Sequence, residues 1–347
     1  MSAGLGKIAV VGAGSVGCYL GGRLLAGGSQ VCLIGREALQ QTIVTHGLTL
    51  SDLHGATTRL APQQTTFSTD LADAQDAALV LVTVKSAATT SVASELASTL
   101  RPGAVVISFQ NGLHNAEELA GGLPQHTVIP GMVPFNIVNR GDGAFHQGSG
   151  GELTTAAHDA LLPWLAHFER AGLPLSTRTD MPAVFWAKLL INLNNAVNAL
   201  SGLPLKAELA QRAYRQCVAM AQREALHLLT LEDIRPARLT PLPASWVPGA
   251  LSVPDALFKL LRNRMLAIDP LARSSMWEDL ERGRPTEIDW INGEVVQLAA
   301  RHRQPAPVNA KLIALIREAE QGGKRDWTGA ALLAALREST AQDSHPD

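Results

Sequence analysis

The strongest constraint on this fold is a glycine string in a defined setting, where the β-branched run Lys7-Ile-Ala-Val-Val11 leads straight into Gly12-Ala-Gly-Ser-Val-Gly17. A short apolar run of that kind forms a strand buried in a parallel sheet. Helical spacing over residues 15–26 and a second strand over residues 30–34 follow, so the glycines fall at the strand-to-helix turn of a βαβ unit. There Gly12 suits the tight turn, Gly14 the close approach of a pyrophosphate, and Gly17 the packing of helix on sheet, with Ala13, Ser15 and Val16 completing the turn. The helix N-terminus adds a positive dipole end and free N–H groups for phosphate oxygens. A glycine-rich turn alone is common; the flanking strand and helix carry the dinucleotide reading.

Further along, apolar runs at residues 79–84 and 104–108 bracket a helical stretch at 89–100, and this alternation implies a parallel sheet covered on both faces. Residues 127–138 read as one more strand, and the glycine-rich stretch 141–151 as a turn or hairpin. Lys85 and the pair Asn111-Gly112 fall at carboxyl ends of strands, where open α/β sheets bind ligands. Asn-Gly is equally an ordinary turn former. The second strand runs into Gly35-Arg36. A carboxylate at that place suits the ribose 2′-hydroxyl of NAD and an arginine the 2′-phosphate of NADP, so Arg36 argues for NADP. Glu37 beside it, and the plain alternative of a solvated arginine, weigh against that preference.

The pattern changes near residues 177–181, from alternating strands to longer helical periodicities. The expected division is residues 1–178, residues 179–339 all helical, and a frayed tail 340–347. Helices are expected over residues 186–200 and 206–230. Five prolines between residues 231 and 254 then impose an extended loop or insertion. A helix resumes near residue 255. Thr286 and Asp289 form a capping-box pattern for a helix to about residue 302, with Ile288, Ile291, Val295 and Leu298 as its apolar stripe, and a last helix spans 309–320. On the first of these helices Lys188, Asn192 and Asn195 fall at i, i+4 and i+7, so one ammonium and two amides share a face. Burial there would lower the lysine pKa and make it a competent proton donor; a lysine that snorkels to water beside solvated asparagines is the equal alternative. Glu287 and Asp289 lie in a first helical turn, which favours carboxylates whatever the function.

The chain has 347 residues, enough for about two domains at roughly 100–200 residues each. A net charge of −2 argues against nucleic acid or an anionic membrane as partner and for a small molecule. Cys18, Cys32 and Cys217 are odd in number and scattered, which fits a reduced, cytoplasmic setting. No metal-ligand spacing is present, and no run nears the roughly 18 apolar residues of a membrane span. Long helices and apolar residues such as Trp246 would allow a homodimer.

Taken in order, Gly12-Ala-Gly-Ser-Val-Gly17, Val84-Lys85, Gln110-Asn111-Gly112, Trp186-Ala-Lys188 with Asn192, Ser274-Ser-Met276, Thr286-Glu-Ile-Asp289 and Ile291-Asn-Gly293 resemble the ketopantoate reductase family over about residues 7–320. The resemblance implies a Rossmann-type NADP-binding domain, an α-helical substrate domain, and reduction of 2-dehydropantoate by NADPH in the route to pantothenate and coenzyme A. It implies Lys188 as general acid and Glu287 as partner of the substrate's terminal hydroxyl. It gives Asn111, Asn192 and Ser275 to the substrate's carboxylate and polar groups, with the nicotinamide near Asn111. The chain departs from the family in having Ala196 where a second active-site asparagine is common, with Asn195 as a substitute, and in the proline-rich segment. Another small 2-oxo acid is therefore the alternative substrate, and a non-catalytic NADP-binding redox sensor the rival of another class.

Overall fold

Strand β1 (Lys7–Val11) is central to an eight-stranded sheet because nearly all of its side chains are apolar and both faces are covered. It pairs in parallel with β2 (Val31–Ile34) on one side and with strand Ala77–Val82 on the other. Ile8 and Val10 point to one face, with Leu33, Leu79, Leu81 and Ile107, and pack under Tyr19, Leu20 and Leu24 of helix α1 (Ser15–Ala26). Ala9 and Val11 point to the other, with Val80, Val82 and Val106, against Leu96 and Leu119. The two-residue period of a strand thus divides one apolar run between two cores. The structure is a computed structural model that describes residues 6–259 and 272–343. Two compact units make it up, Met1–Met181 and Pro182–Asp347.

In the first unit strands Val105–Ser108 and Thr127–Met132 extend the parallel sheet from strand Ala77–Val82. The apolar run expected as a strand to residue 84 stops at Val82. Residues 127–138 are two strands rather than one, separated by residues 133–136, which carry no strand. The second of them, Ile137–Gly141, turns back antiparallel onto Ala144–Gln147, which places a hairpin in the glycine-rich stretch. That hairpin joins Leu48–Ser51 and Thr57–Leu60 in a separate four-stranded sheet. Its Leu48, Leu50 and Phe145 belong to the same core as α1, so it covers that helix. Short half-polar strands of this kind carry too weak a periodicity to be read from sequence.

The second unit contains helices and no strand among its described residues. The expected helix over residues 186–200 is two helices, Met181–Asn192 and Asn194–Ser201, with a turn at Leu193. Asn192, Asn194 and Asn195 crowd the junction, and asparagine side chains compete with the backbone for its hydrogen bonds. The i+7 relation of Lys188 to Asn195 therefore crosses a break. The next helix is also split, into Leu205–Glu208 and Arg212–Leu231. In the gap the Leu209 carbonyl accepts from Arg215 Nη1 at 3.1 Å.

Arg215 is fully buried and explains the proline-rich segment. Its guanidinium donates to the carbonyls of Leu251 at 3.0 Å and Val253 at 2.8 Å, pairs with Asp255 at 2.9 Å and stacks on Phe258 at 4.0 Å. The segment is not wholly extended, since Val247–Ser252 is helical with Pro248 in the first turn, where a missing N–H costs nothing. Residues 255–259 are helical, and the continuation of that expected helix lies outside the described residues.

The capping box at Thr286 does not form. Thr286 gives its N–H and hydroxyl to Glu320, at 2.8 and 2.7 Å, and Asp289 pairs with Arg317. The helix expected from there begins at Asn292 and ends at Arg301, although Ile288, Ile291, Val295 and Leu298 are all buried. The next helix runs Pro307–Glu320. A further helix, Gly329–Asp343, takes in the first four residues of the tail expected to be frayed; the remainder of that tail lies outside the described residues. Leu332 and Leu336 are buried at its core side, four residues apart as a helical stripe requires.

Candidate functional site

Two groups of candidate residues are built separately, one in each unit. In the first, α1 is capped by Gly14, and the turn before it is held by β2: the N–H groups of Gly12 and Ala13 both donate to the Ile34 carbonyl, at 2.9 and 2.8 Å. Gly12 has φ +92°, and a Cβ there would meet the Val84 nitrogen at 2.5 Å. At Gly17 a Cβ would meet Thr83 Oγ1 at 2.6 Å and the Gly12 carbonyl at 2.8 Å. A Cβ on Gly14 would meet nothing nearer than 3.8 Å. Gly12 and Gly17 are thus demanded by the protein itself, whereas the space beside Gly14 is open. A dinucleotide pyrophosphate fits that cradle, with the first N–H groups of α1, around Ser15 and Val16, as donors. Arg36 is exposed at the residue before helix Glu37–His46, directly after β2, with Glu37 exposed beside it.

Sequence reading missed the residues that pin this turn and its neighbour. Thr83 donates from Oγ1 to the Gly12 carbonyl at 2.8 Å. Lys85 and Asn111 are brought together because Ser86 Oγ donates to the Asn111 carbonyl at 2.8 Å. Asn115 Nδ2 also donates to the Asn111 carbonyl and, at 3.1 Å, to Ser86 Oγ. Thr89 donates to Asn115 Oδ1 at 2.8 Å and accepts from Gln110 Nε2 at 2.9 Å. Ser86, Thr89, Gln110 and Asn115 are buried, and Thr83, Lys85 and Asn111 are partly exposed. The one available signal was polar residues placed where the helical stripe should be apolar, as at Thr89.

In the second unit Lys188 lies on helix Met181–Asn192 among buried Trp186, Ala187, Leu189 and Leu190. It is half-buried by surface, yet surrounded densely enough that burial pushes its ammonium down from the ordinary 10.5 to about 8. Asn192, one turn on, is buried. Ala196 is completely buried, so the residue type at that position is felt in packing. Asn195 and Ser275 are brought together through Ser274: its Oγ donates to the Asn195 carbonyl at 3.2 Å and accepts the Trp277 N–H at 3.1 Å. Ser275 is the exposed first residue of helix Ser275–Glu281. Glu287 is buried at the residue before a short 3₁₀ turn, Ile288–Trp290.

Among the described residues no three of His, Cys, Asp and Glu gather as metal ligands, and no helix is long and apolar enough to cross a membrane. All three cysteines are buried, and burial pushes each thiol up, away from reactivity.

The sequence matches two family models, Ketopantoate reductase PanE/ApbA over residues 8–160 and its C-terminal counterpart over residues 180–320. It is 30% identical over 323 residues to the 2-dehydropantoate 2-reductase of Halobacterium salinarum, covering 91% of this chain and 100% of that one. The crystal structure of a PanE/ApbA family ketopantoate reductase from Ralstonia eutropha JMP134 is similar with a TM-score of 0.77 at 30% identity, covering 91% of this chain and 99% of that one. A D-mandelate dehydrogenase solved with NADH and anilino(oxo)acetate shares the fold, with a TM-score of 0.73 at 20% identity over 91% of this chain and 99% of that one.

Proposed function

Because the chain belongs to the ketopantoate reductase family and is thereby an oxidoreductase, we propose that it reduces 2-dehydropantoate to pantoate with NADPH, in the route to pantothenate and coenzyme A. The observation that carries this reading is Lys188, a lysine on an apolar helix surface with buried Asn192 one turn away. NADPH, held at the Gly12 to Gly17 turn, supplies the hydride that a ketone carbon needs. Lys188 then gives its proton to the carbonyl oxygen as that oxygen becomes an alkoxide, and its positive charge stabilises the developing negative one. A pKa of about 8 leaves the ammonium protonated at neutral pH and close enough to neutrality to release the proton. Asn111, Asn192, Asn195 and Ser275 hold the carboxylate and polar groups, and Glu287 accepts a hydrogen bond from the terminal hydroxyl. Lys85 belongs to the cofactor's surroundings, beside the Asn111 turn.

The reading includes a cytoplasmic enzyme, where its buried thiols stay reduced, and a homodimer. The latter is supported by Trp246, 67% exposed, and by a neighbour of this fold described as a dimeric ketopantoate reductase from Staphylococcus aureus.

Turnover of ketopantoate by purified protein, followed by loss of NADPH absorbance, is the direct test. The reading requires kcat/KM for ketopantoate to exceed that for other 2-oxo acids in a side-by-side panel. Cofactor bound without turnover of any oxo acid would overturn it. For the cofactor, Arg36→Ala should weaken NADPH binding roughly ten- to hundredfold, as losing one charge-assisted contact implies, and leave NADH binding unchanged. Equal affinity of the unaltered protein for both cofactors would show Arg36 to be a bystander.

A further inference from the structure

One buried polar group in the second unit has no part in the chemistry above. Glu208 is completely buried, and no cation among the described residues pairs with it. Its Oε2 accepts from Asn198 Nδ2 at 2.8 Å and from Asn194 Nδ2 at 3.5 Å, while Oε1 has no hydrogen-bond partner. Burial pushes this carboxyl up to about 8, so it is a costly group to keep. An apolar side chain of similar volume is often as good or better for stability at such a site. What the carboxyl does is orient Asn198.

Asn198 is itself fully buried and uses both ends of its amide. Nδ2 donates to Glu208 and, at 2.9 Å, to the Leu203 carbonyl, and Oδ1 accepts the Ser274 N–H at 2.8 Å. A flipped amide would face donor with donor at the Ser274 N–H and acceptor with acceptor at the Leu203 carbonyl, so the surroundings fix one orientation. Ser274, anchored through its N–H, reaches the Asn195 carbonyl and caps the helix that begins at Ser275. Ser275 is exposed, so its place is set through the backbone of the residue before it.

We propose that Asn198, oriented by Glu208, is a positioning residue that sets Ser275 in register with Asn195, two of the groups assigned to the substrate's carboxylate and polar groups. This rests on the substrate-binding reading of Ser275 and Asn195. Asn198 is fully buried, so it acts on substrate through Ser274 rather than by touching it.

The test is a double-mutant cycle on KM for ketopantoate, with kcat and the NADPH dissociation constant measured for each variant. Asn198→Ala should raise KM roughly tenfold, the size of the one buried hydrogen bond it takes from the Ser274 N–H, with NADPH affinity within about twofold. Added to Ser275→Ala it should raise KM by less than about twofold more, because both changes remove one effect. A merely structural role would lower the active fraction, and with it kcat, while KM stayed put. Full additivity in the cycle, or a KM moved by Ser275→Ala and unmoved by Asn198→Ala, would overturn the proposal. A KM moved by neither would overturn the substrate reading beneath it. If Asn198→Ala yields no folded protein, Ser274→Ala, which removes the contact to Asn195 and the cap on Trp277, is read in the same cycle with the same expectations.

Discussion

Lys188→Ala should lower kcat with ketopantoate by roughly 10²- to 10⁴-fold, the usual contribution of a positioned general acid, while NADPH affinity stays within about twofold. The second half of that expectation follows from the fold, since the phosphate-binding turn is built wholly within the first unit. The pH profile carries an independent check. Reduction needs the ammonium form, and burial holds its pKa near 8, so kcat/KM should be level below that pH and fall above it. Lys188→Arg keeps the charge but hardly yields a proton, so it should lose that limb together with most of the rate. A rate in Lys188→Ala equal to that of the unaltered protein would remove the residue from the chemistry. Stability should move the other way. A base whose folded pKa is depressed binds fewer protons folded than unfolded between about 8 and 10.5, so its penalty is full at neutral pH and fades as pH rises through that window. Lys188→Met should therefore raise the thermal midpoint at pH 7 and lose that advantage by about pH 11, as scanning calorimetry would record.

The second large effect separates two glycines that look alike in sequence. Gly12→Ala imposes a side chain at φ +92°, against the Val84 backbone nitrogen at 2.5 Å. Positive φ alone costs of order 1–3 kcal/mol, and the contact is with backbone that cannot swing aside, so a loss of roughly 3–5 kcal/mol is expected, visible as a thermal midpoint many degrees lower. Gly14→Ala should fold nearly as well as the unaltered protein, because its Cβ has 3.8 Å of room. Its NADPH affinity should nonetheless fall at least tenfold, since that methyl takes up space the pyrophosphate needs. Fluorescence titration with NADPH beside thermal melts of both variants decides the matter. Equal NADPH affinity for Gly14→Ala and the unaltered protein would place the cofactor elsewhere.

How much of this was legible in the sequence depends on how local the deciding contacts are. Helix α1 was legible to the residue, because its strand, turn and helix are consecutive and the glycines mark the turn. The buried stripe of Ile288, Ile291, Val295 and Leu298 was legible for the same reason, although the helix they belong to was not, because Glu320, more than thirty residues away, takes the Thr286 groups that would have capped it. Of the second sheet only the turn of its hairpin was legible, since strands of four or five residues with half-polar faces are paired with partners as much as 95 residues away. The networks around Asn111 and Asn198 were invisible too. Each gathers polar side chains from two or more separate segments, and nothing within a segment tells which buried amide will meet which carbonyl.

From its sequence alone, the chain is committed to a strand–turn–helix opening that only small, permissive residues can make, to a helical second half, and to a lysine set among apolar residues near asparagines. These rest on backbone sterics and on hydrophobic periodicity, which act over one or two turns of chain. Only the tertiary structure decides that Gly12 and Gly17 are held by packing while Gly14 stands over open space. It alone decides that burial pushes the Lys188 ammonium down to about 8, and that Asn198, bonded to Glu208, meets the Ser274 N–H. Burial, desolvation and the pairing of distant polar groups are properties of what surrounds a residue, and those surroundings exist only once the chain has folded.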